Sequence, residues 1–170
     1  FHHSVHNAAS GYWAMGSGSP AASTALAAGE HSFATGLLEA LAQCATEAQP
    51  VLLVAYDTEA TGALRSVNRS RGLLAVALLL APQTAHAAQE THAAHAVLDW
   101  RCGPGAVAVP PLQSAAARAL QANASSAALP LMEALACGRS TRLAWPLSAT
   151  VALELDLSCP PSTGPAPAAA

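Results

Sequence analysis

The most suggestive chemistry in this 170-residue chain lies at STALAAG (23–29), which runs straight into EHSFATGLLEALAQCATEA. A small-residue turn entering a helical pattern is a favourable mount for a nucleophile. The helix N-terminus favours an anion and lowers the pKa of a thiol placed there. The residue at the turn, however, is Leu26, which has no such chemistry. Ser23 and Thr24 carry hydroxyls, but a hydroxyl needs an activating base, and none is identifiable nearby. Hydrogen bonding to backbone in a tight turn is their simpler role.

Other groups are equally sparse. His2, His3 and His6 supply three imidazoles, and His2 and His6 would share one face of a helix, as zinc ligands can. No acidic or cysteine ligand stands at metal spacing beside them, so neither a metal nor a cofactor is expected. His86, His92 and His95 fall in an Ala-rich tract that reads as solvated. Asp57 ends an apolar run, where α/β enzymes often place active-site residues, yet a lone carboxylate reads better as a loop or cap residue. Cys44, Cys102, Cys137 and Cys159 form no CxxC pair and no regular framework. They read as free, mostly buried thiols of a reducing, cytoplasmic compartment. GSGSP (16–20) lacks the spacing and the Lys of a phosphate loop, and there is no GxSxG or HExxH.

These groups must be positioned by a charge-poor, apolar scaffold. Charged residues make up 10% and hydrophobic ones 52%, with mean hydropathy +0.33 and net charge −3. Typical domains carry about 25% charge. All seven basic residues are Arg, and no basic face for nucleic acid or anionic lipid emerges. A surface this poor in charge implies partial cover by a partner. The longest apolar run, 73–81, falls short of the roughly 20 residues of a membrane helix, and no secretory signal is visible.

Residues 1–20 read as loop with a short helical turn. Residues 27–48 read as a helix, with Phe33, Leu37, Leu41, Cys44 and Ala48 on one side and Glu39, Gln43 and Glu47 on the other; Pro50 ends it. VLLVAYD (51–57) has the continuous apolar character of a parallel strand buried on both faces. LLAVALLLA (73–81) reads as a second buried strand, a short buried helix being the alternative. Residues 58–72 form a polar loop, 83–96 a low-complexity surface insertion and 101–111 a Gly/Pro loop. LPLMEALAC (129–137) is a short helix stopped by Gly138. TVALELDL (150–157) alternates as a one-sided strand and is assigned to an edge. The organisation expected is one domain over 1–158 with a disordered tail over 159–170.

Three blocks taken together, SVHNAASGYWAM (4–15), STALAAGEHSFATGLLEA (23–40) and VLLVAYD (51–57), resemble the N-terminal half of β-ketoacyl synthases. Within that family they are most similar to the short, chain-length-factor-like proteins. The first block, with Ser4, Val5, His6, Asn7, Gly11, Tyr12 and Trp13, is the most specific. The resemblance implies part of a thiolase-like half-domain: an α/β fold of mostly parallel buried strands with packed helices, plus a C-terminal edge strand. In ketosynthases the second block carries Thr-Ala-Cys-Ala-Ser-Gly, and its Cys is acylated. Thr24, Ala25, Ala27 and Gly29 match that pattern, Ala28 replaces its Ser, and Leu26 stands at the Cys position. His31 matches a His often found after the motif. The family's two catalytic His residues belong to a C-terminal half that this sequence does not contain. Strand–helix units expected before the first block are also not in it, so the sequence, which opens on Phe1, reads as N-terminally truncated.

The resemblance implies a scaffold without its nucleophile. Leu cannot be acylated, though it could fill a pocket with apolar volume. The function expected is that of a non-catalytic subunit acting with an active ketosynthase and an acyl carrier protein in fatty-acid or polyketide/polyene synthesis, as a heterodimer or a homodimer. The alternatives are an acyltransferase using Ser23 or Cys44, or a degenerate remnant without activity.

Overall fold

The computed structural model describes residues 6–68, 70–83, 95–105 and 107–160. Helix α1 spans Ala8–Ser17 and α2 spans Ser32–Glu47. Strands β1 (Val51–Thr58) and β2 (Leu73–Leu80) follow, then β3 (Val97–Pro104). Helices α3 (Ala115–Ala119) and α4 (Leu129–Ala136) precede β4 (Thr141–Pro146) and β5 (Val151–Ser158).

The central helix is the one its sequence periodicity predicts. Phe33, Ala34, Leu37, Ala40, Leu41 and Cys44 are buried along one stripe of α2, as a surface helix facing a core requires. It starts later than the predicted 27–48, because residues 29–31 form a separate 3-10 turn. It ends at Ala48, which takes a left-handed conformation at φ 51° and so closes the last turn before Pro50.

The sheets differ from the mostly parallel arrangement expected. β1 and β2 form a two-stranded antiparallel ribbon, in register from Val51 opposite Leu80 to Thr58 opposite Leu73. β3, β5 and β4 form a second sheet in that order, both pairs antiparallel. The reason is connectivity. A parallel pair needs a crossover to bring the chain back to the same end. The segment between β1 and β2 instead holds a short 3-10 turn at Gly62–Ser66 and returns β2 alongside β1.

Two further expectations are corrected here. β1 is not buried on both faces: Val51, Leu53 and Ala55 face the core, while Leu52, Val54 and Tyr56 are exposed. The C-terminal strand is not an edge: β5 is the centre of its sheet, and Leu153, Leu155 and Leu157 on it are almost fully buried. The apolar/polar alternation correctly marks one buried face but carries no information about neighbours at the strand's sides. The predicted loop over 101–111 likewise begins inside β3. Most of the insertion expected at 83–96, and the tail from 161 onward, lie outside the described residues.

One core joins both sheets to α2 and α4. Trp145 on β4 is its largest fully buried side chain. Its ring meets Phe33 of α2 edge-on at 5.7 Å, a geometry the ring quadrupoles favour, and its Nε1–H donates to the Ala127 carbonyl at 2.8 Å. The ribbon is tied down by Asn123, which is 2% exposed. Its amide nitrogen reaches the carbonyls of Asp57, Arg71 and Gly72 at 3.1–3.3 Å. Its Oδ1 accepts from the Ser125 N–H at 2.9 Å and so caps the 3-10 turn Ala124–Ala128.

Candidate functional site

The turn that carries Leu26 is built by backbone geometry and one serine. Gly29 sits at φ +59° with nothing within 4 Å of where a Cβ would be, so conformation rather than space calls for glycine there. Ser32 then closes the turn. Its hydroxyl donates to the Gly29 carbonyl at 2.7 Å and accepts from the Ala28 N–H at 2.9 Å. The His31 N–H bonds the Ala28 carbonyl at 3.1 Å, and the Thr35 hydroxyl bonds the His31 carbonyl at 2.9 Å. Sequence and structure agree on a tight small-residue turn leading into a buried helix.

The side chains on that turn are arranged for little chemistry. Leu26 is 38% exposed and fills no pocket, unlike the apolar plug its sequence position suggested. It precedes the 3-10 turn Gly29–His31, not the first turn of α2 itself. Thr24 lies near Gln43, whose amide nitrogen is 3.5 Å from its hydroxyl and 2.8 Å from Glu39 Oε1. Ser23 is exposed and has no hydrogen-bond partner among the described residues. His31 Nε2 stands 3.7 Å from a Glu30 carboxylate oxygen, and its Nδ1 is buried without a partner. Among the described residues, no acid–base pair is hydrogen-bonded to the Ser23 or Thr24 hydroxyl.

The other candidates are dispersed. Cys44 is buried on α2, and burial pushes its thiol pKa up, the opposite of what a nucleophile needs. Asp57 lies at the end of β1, with one carboxylate oxygen buried and unpartnered. Ser4, Val5, His2, His3, His86 and His92 are outside the described residues. His6 and Asn7 are exposed at the entry to α1, where the Asn7 carbonyl accepts from the Gly11 N–H and the Ser10 hydroxyl, both at 3.0 Å. Tyr12 and Trp13 are exposed on α1. Among the described residues no group of three or more His, Cys, Asp or Glu is placed to hold a metal, and no helix is long and apolar enough to cross a membrane.

Two open, shallow clefts lie away from this turn. One of about 350 Å³ opens between Pro110, Pro111, Glu133, Arg139 and Arg142. Glu133 spans its floor, accepting from the N–H groups of Gln113 at 2.9 Å and Ser114 at 2.6 Å. Those bonds, Gln113's first, hold its carboxyl below the usual range. The cleft's charges are thus largely satisfied within the protein. Asn123 and Trp145 were missed as organising residues in the sequence. The signals available were the Asn-Ala-Ser-Ser order of an N-cap at 123 and the Leu143/Trp145 alternation along 141–146.

A buried helix entered through a small-residue turn and packed against antiparallel sheets defines an α/β scaffold consistent with a thiolase-like half-domain. The family described as "Beta-ketoacyl synthase, N-terminal domain" matches residues 1–146, and the chain belongs to that family. No curated protein and no solved structure gives a significant match.

Proposed function

We propose that this protein is a non-catalytic, chain-length-factor-like member of the ketosynthase family. It acts beside an active ketosynthase and an acyl carrier protein in the assembly of fatty-acid, polyketide or polyene chains. The carrying observation is Leu26 at the position the family uses for its acylated Cys, in a turn that keeps four of the motif's other five residues, Ala28 standing in place of its Ser. Thr24, Ala25, Ala27 and Gly29 keep the small-residue pattern, and Ser32 holds the turn closed. A saturated side chain there can form no thioester. Two further observations favour the reading over an enzyme with a substitute nucleophile. Cys44 faces the core with a raised pKa, and Ser23 has no base beside it. The exposure of Leu26 suits contact with a partner subunit better than the filling of an internal tunnel.

The experiment is co-expression of the full chain with an intact ketosynthase and an acyl carrier protein. Co-elution of the two ketosynthase-family chains, with product length altered by replacing Leu26 with Ala or Phe, is expected. Separate elution together with unchanged product length would overturn the proposal. So would a stable acyl adduct on this chain, found by intact mass after incubation with acyl carrier substrate, because that would make it an acyltransferase.

A further inference from the structure

β4 is the outer strand of its sheet, and its backbone is open on one side. Two bonds fix which residues face outward. The Leu147 N–H reaches the Val151 carbonyl across the β4–β5 turn at 2.9 Å, and on the far side of β5 the Gly105 N–H reaches the Thr150 carbonyl, also at 2.9 Å. Bonded pairs alternate with unbonded ones along an antiparallel ladder. Thr141, Leu143 and Trp145 therefore bond β5, while the N–H and C=O groups of Arg142 and Ala144 point to the open edge. Among the described residues no backbone group meets them there, and the Arg142 carbonyl has only a 3.4 Å contact from the Thr141 hydroxyl. Edge strands are usually blunted by charge, proline or short length. Pro146 does end β4, but the Arg142 guanidinium is turned onto Asp156 of β5 and not over the edge. The cleft of about 350 Å³ adjoins this edge, lined by Thr141, Arg142 and Leu143 together with Pro110 and Pro111. The two prolines have no N–H to offer, and the Pro111 carbonyl already accepts from the Gln113 side chain at 3.0 Å. Arg139 also lines the cleft and is exposed; among the described residues its guanidinium makes no hydrogen bond or ion pair. Its charge acts on Glu133, but both oxygens of that carboxylate are taken by the Gln113 and Ser114 N–H groups.

We propose that the β4 edge and this cleft dock an extended segment of a partner protein, which pairs antiparallel with Arg142 and Ala144 and sets a Glu or Asp carboxylate against Arg139. Strand addition to an exposed sheet edge is a recurring mode of peptide recognition. Volume decides against a helix. One helical turn, about 10 Å across and 5.4 Å tall, fills roughly 420 Å³, more than the cleft holds. An extended residue, about 3.4 Å long in a slot of about 4.8 Å by 10 Å, needs roughly 160 Å³, so the cleft takes about two. Antiparallel pairing is the more stable kind, and it carries the peptide's carboxyl-terminal end past Thr141 toward Arg139. An acidic side chain there meets the cleft's unpaired guanidinium, whereas a basic one would meet two arginines. The β4 strand of a second copy, TRLAWP, carries Arg and no carboxylate, so it does not supply this group.

The test uses the full chain alone, so its failure leaves the proposed function standing. The probe is an acetylated and amidated synthetic peptide, Thr-Val-Thr-Val-Thr-Glu, titrated into isotope-labelled protein and followed by NMR. The amide signals of Arg142 and Ala144 should shift, with those of Leu143 and Trp145 little changed. Hydrogen exchange at Arg142 and Ala144 should slow about tenfold with the peptide at roughly ten times its Kd. The same peptide N-methylated throughout should not bind, because it cannot donate to the edge. Exchanging its Glu for Gln should weaken binding by about fivefold, the upper range of an exposed ion pair, and Arg139→Gln should erase that difference. Circular dichroism should be unchanged in Arg139→Gln, since the side chain is exposed. Ala144→Pro removes an outward N–H, which an edge strand tolerates, and should also lose the peptide. Arg142 and Ala144 amides already protected in the chain alone would mean that the edge is covered by the chain itself or by a second copy, and would overturn the proposal. No binding at millimolar peptide, equal binding of the N-methylated peptide or by Ala144→Pro, or a loss from Glu to Gln that persists in Arg139→Gln would overturn it equally.

Discussion

The two sheets present opposite kinds of outer surface. On the β3–β5–β4 sheet the outward positions are charged and paired across strands. Arg142 grips Asp156 through Nε at 2.7 Å and a second nitrogen at 3.2 Å, and Arg101 pairs with Glu154. On the β1–β2 ribbon the outward positions include Leu52, Val54, Tyr56, Ala75, Ala77 and Leu79; Asp57 is the one charged residue on its strands, and in the connection Arg65 and Arg71 hold Glu59. Exposed ion pairs contribute little to stability, so the difference is not mainly one of strength. It is a difference in chemistry: one face carries paired charges, and the other carries bare apolar side chains.

The contrast also says which sheet anchors the fold, and the largest expected effect tests that. Trp145 is 1% exposed, stacks edge-on against Phe33 and makes an indole hydrogen bond. Trp145→Ala should lower the unfolding free energy by about 3–5 kcal/mol, measured by chemical denaturation. The matching cut in the ribbon, Val76→Ala, removes a half-buried side chain and should cost about 1–2 kcal/mol. Equal losses would break the comparison by making the ribbon as much an anchor as the three-stranded sheet.

Asn123 is the tie between the two regions. Asn123→Ala leaves the carbonyls of Asp57, Arg71 and Gly72 without their side-chain donor, and the cost of such unsatisfied buried groups is about 1–3 kcal/mol. The loss should be local. Hydrogen exchange is expected to quicken at residues 57–58 and 71–73, with β5 protected as before. Uniform quickening through β5 would show that ribbon and sheet unfold as one unit.

A smaller effect should separate the two faces by pH. The hydrogen bond from Arg142, with its charge, holds the Asp156 carboxyl below the ordinary carboxylate range. A depressed folded pKa means stability that is present above the unfolded value and lost as pH falls through the folded one. Acid unfolding of the parent should therefore include a contribution from this pair that Asp156→Asn lacks. The difference should vanish near 1 M salt, where the screening length is about 3 Å. A difference that survived high salt would mean that the aspartate does more than pair on a solvated face.

How far these contrasts could be read in advance depended on whether the information was local. The stripe on α2 was legible because helical burial repeats along one segment, and Gly29 followed from turn chemistry. The antiparallel pairing was not legible. An apolar run such as VLLVAY reads the same whether its second face meets a helix of the same chain or another protein. The burial of β5 between two strands was hidden for a related reason, since alternation reports faces and not edges. At the candidate site the place of Leu26 in the motif was legible, but its exposure depended on how the turn leaves the body of the protein. The tethers of Asn123 to residues 57, 71 and 72 are long-range contacts with no sequence period to announce them.

The smallest effect on stability is expected where the chain looks most incomplete. Leu52 and Leu79 lie directly opposite each other on the bare face, the relation Arg142 and Asp156 have on the charged one. Replacing the pair with Leu52→Arg and Leu79→Glu would copy the finish of one sheet onto the other. Exposed substitutions away from special features usually change stability by no more than about 0.5 kcal/mol, and an opposed charge pair returns a few tenths. The unfolding midpoint should therefore hardly move, while solubility at neutral pH should rise. A loss of several kcal/mol in the chain would mean that the face is packed within the protein itself. In that case the two outer faces would not differ in exposure, and the apolar strip would be part of the core.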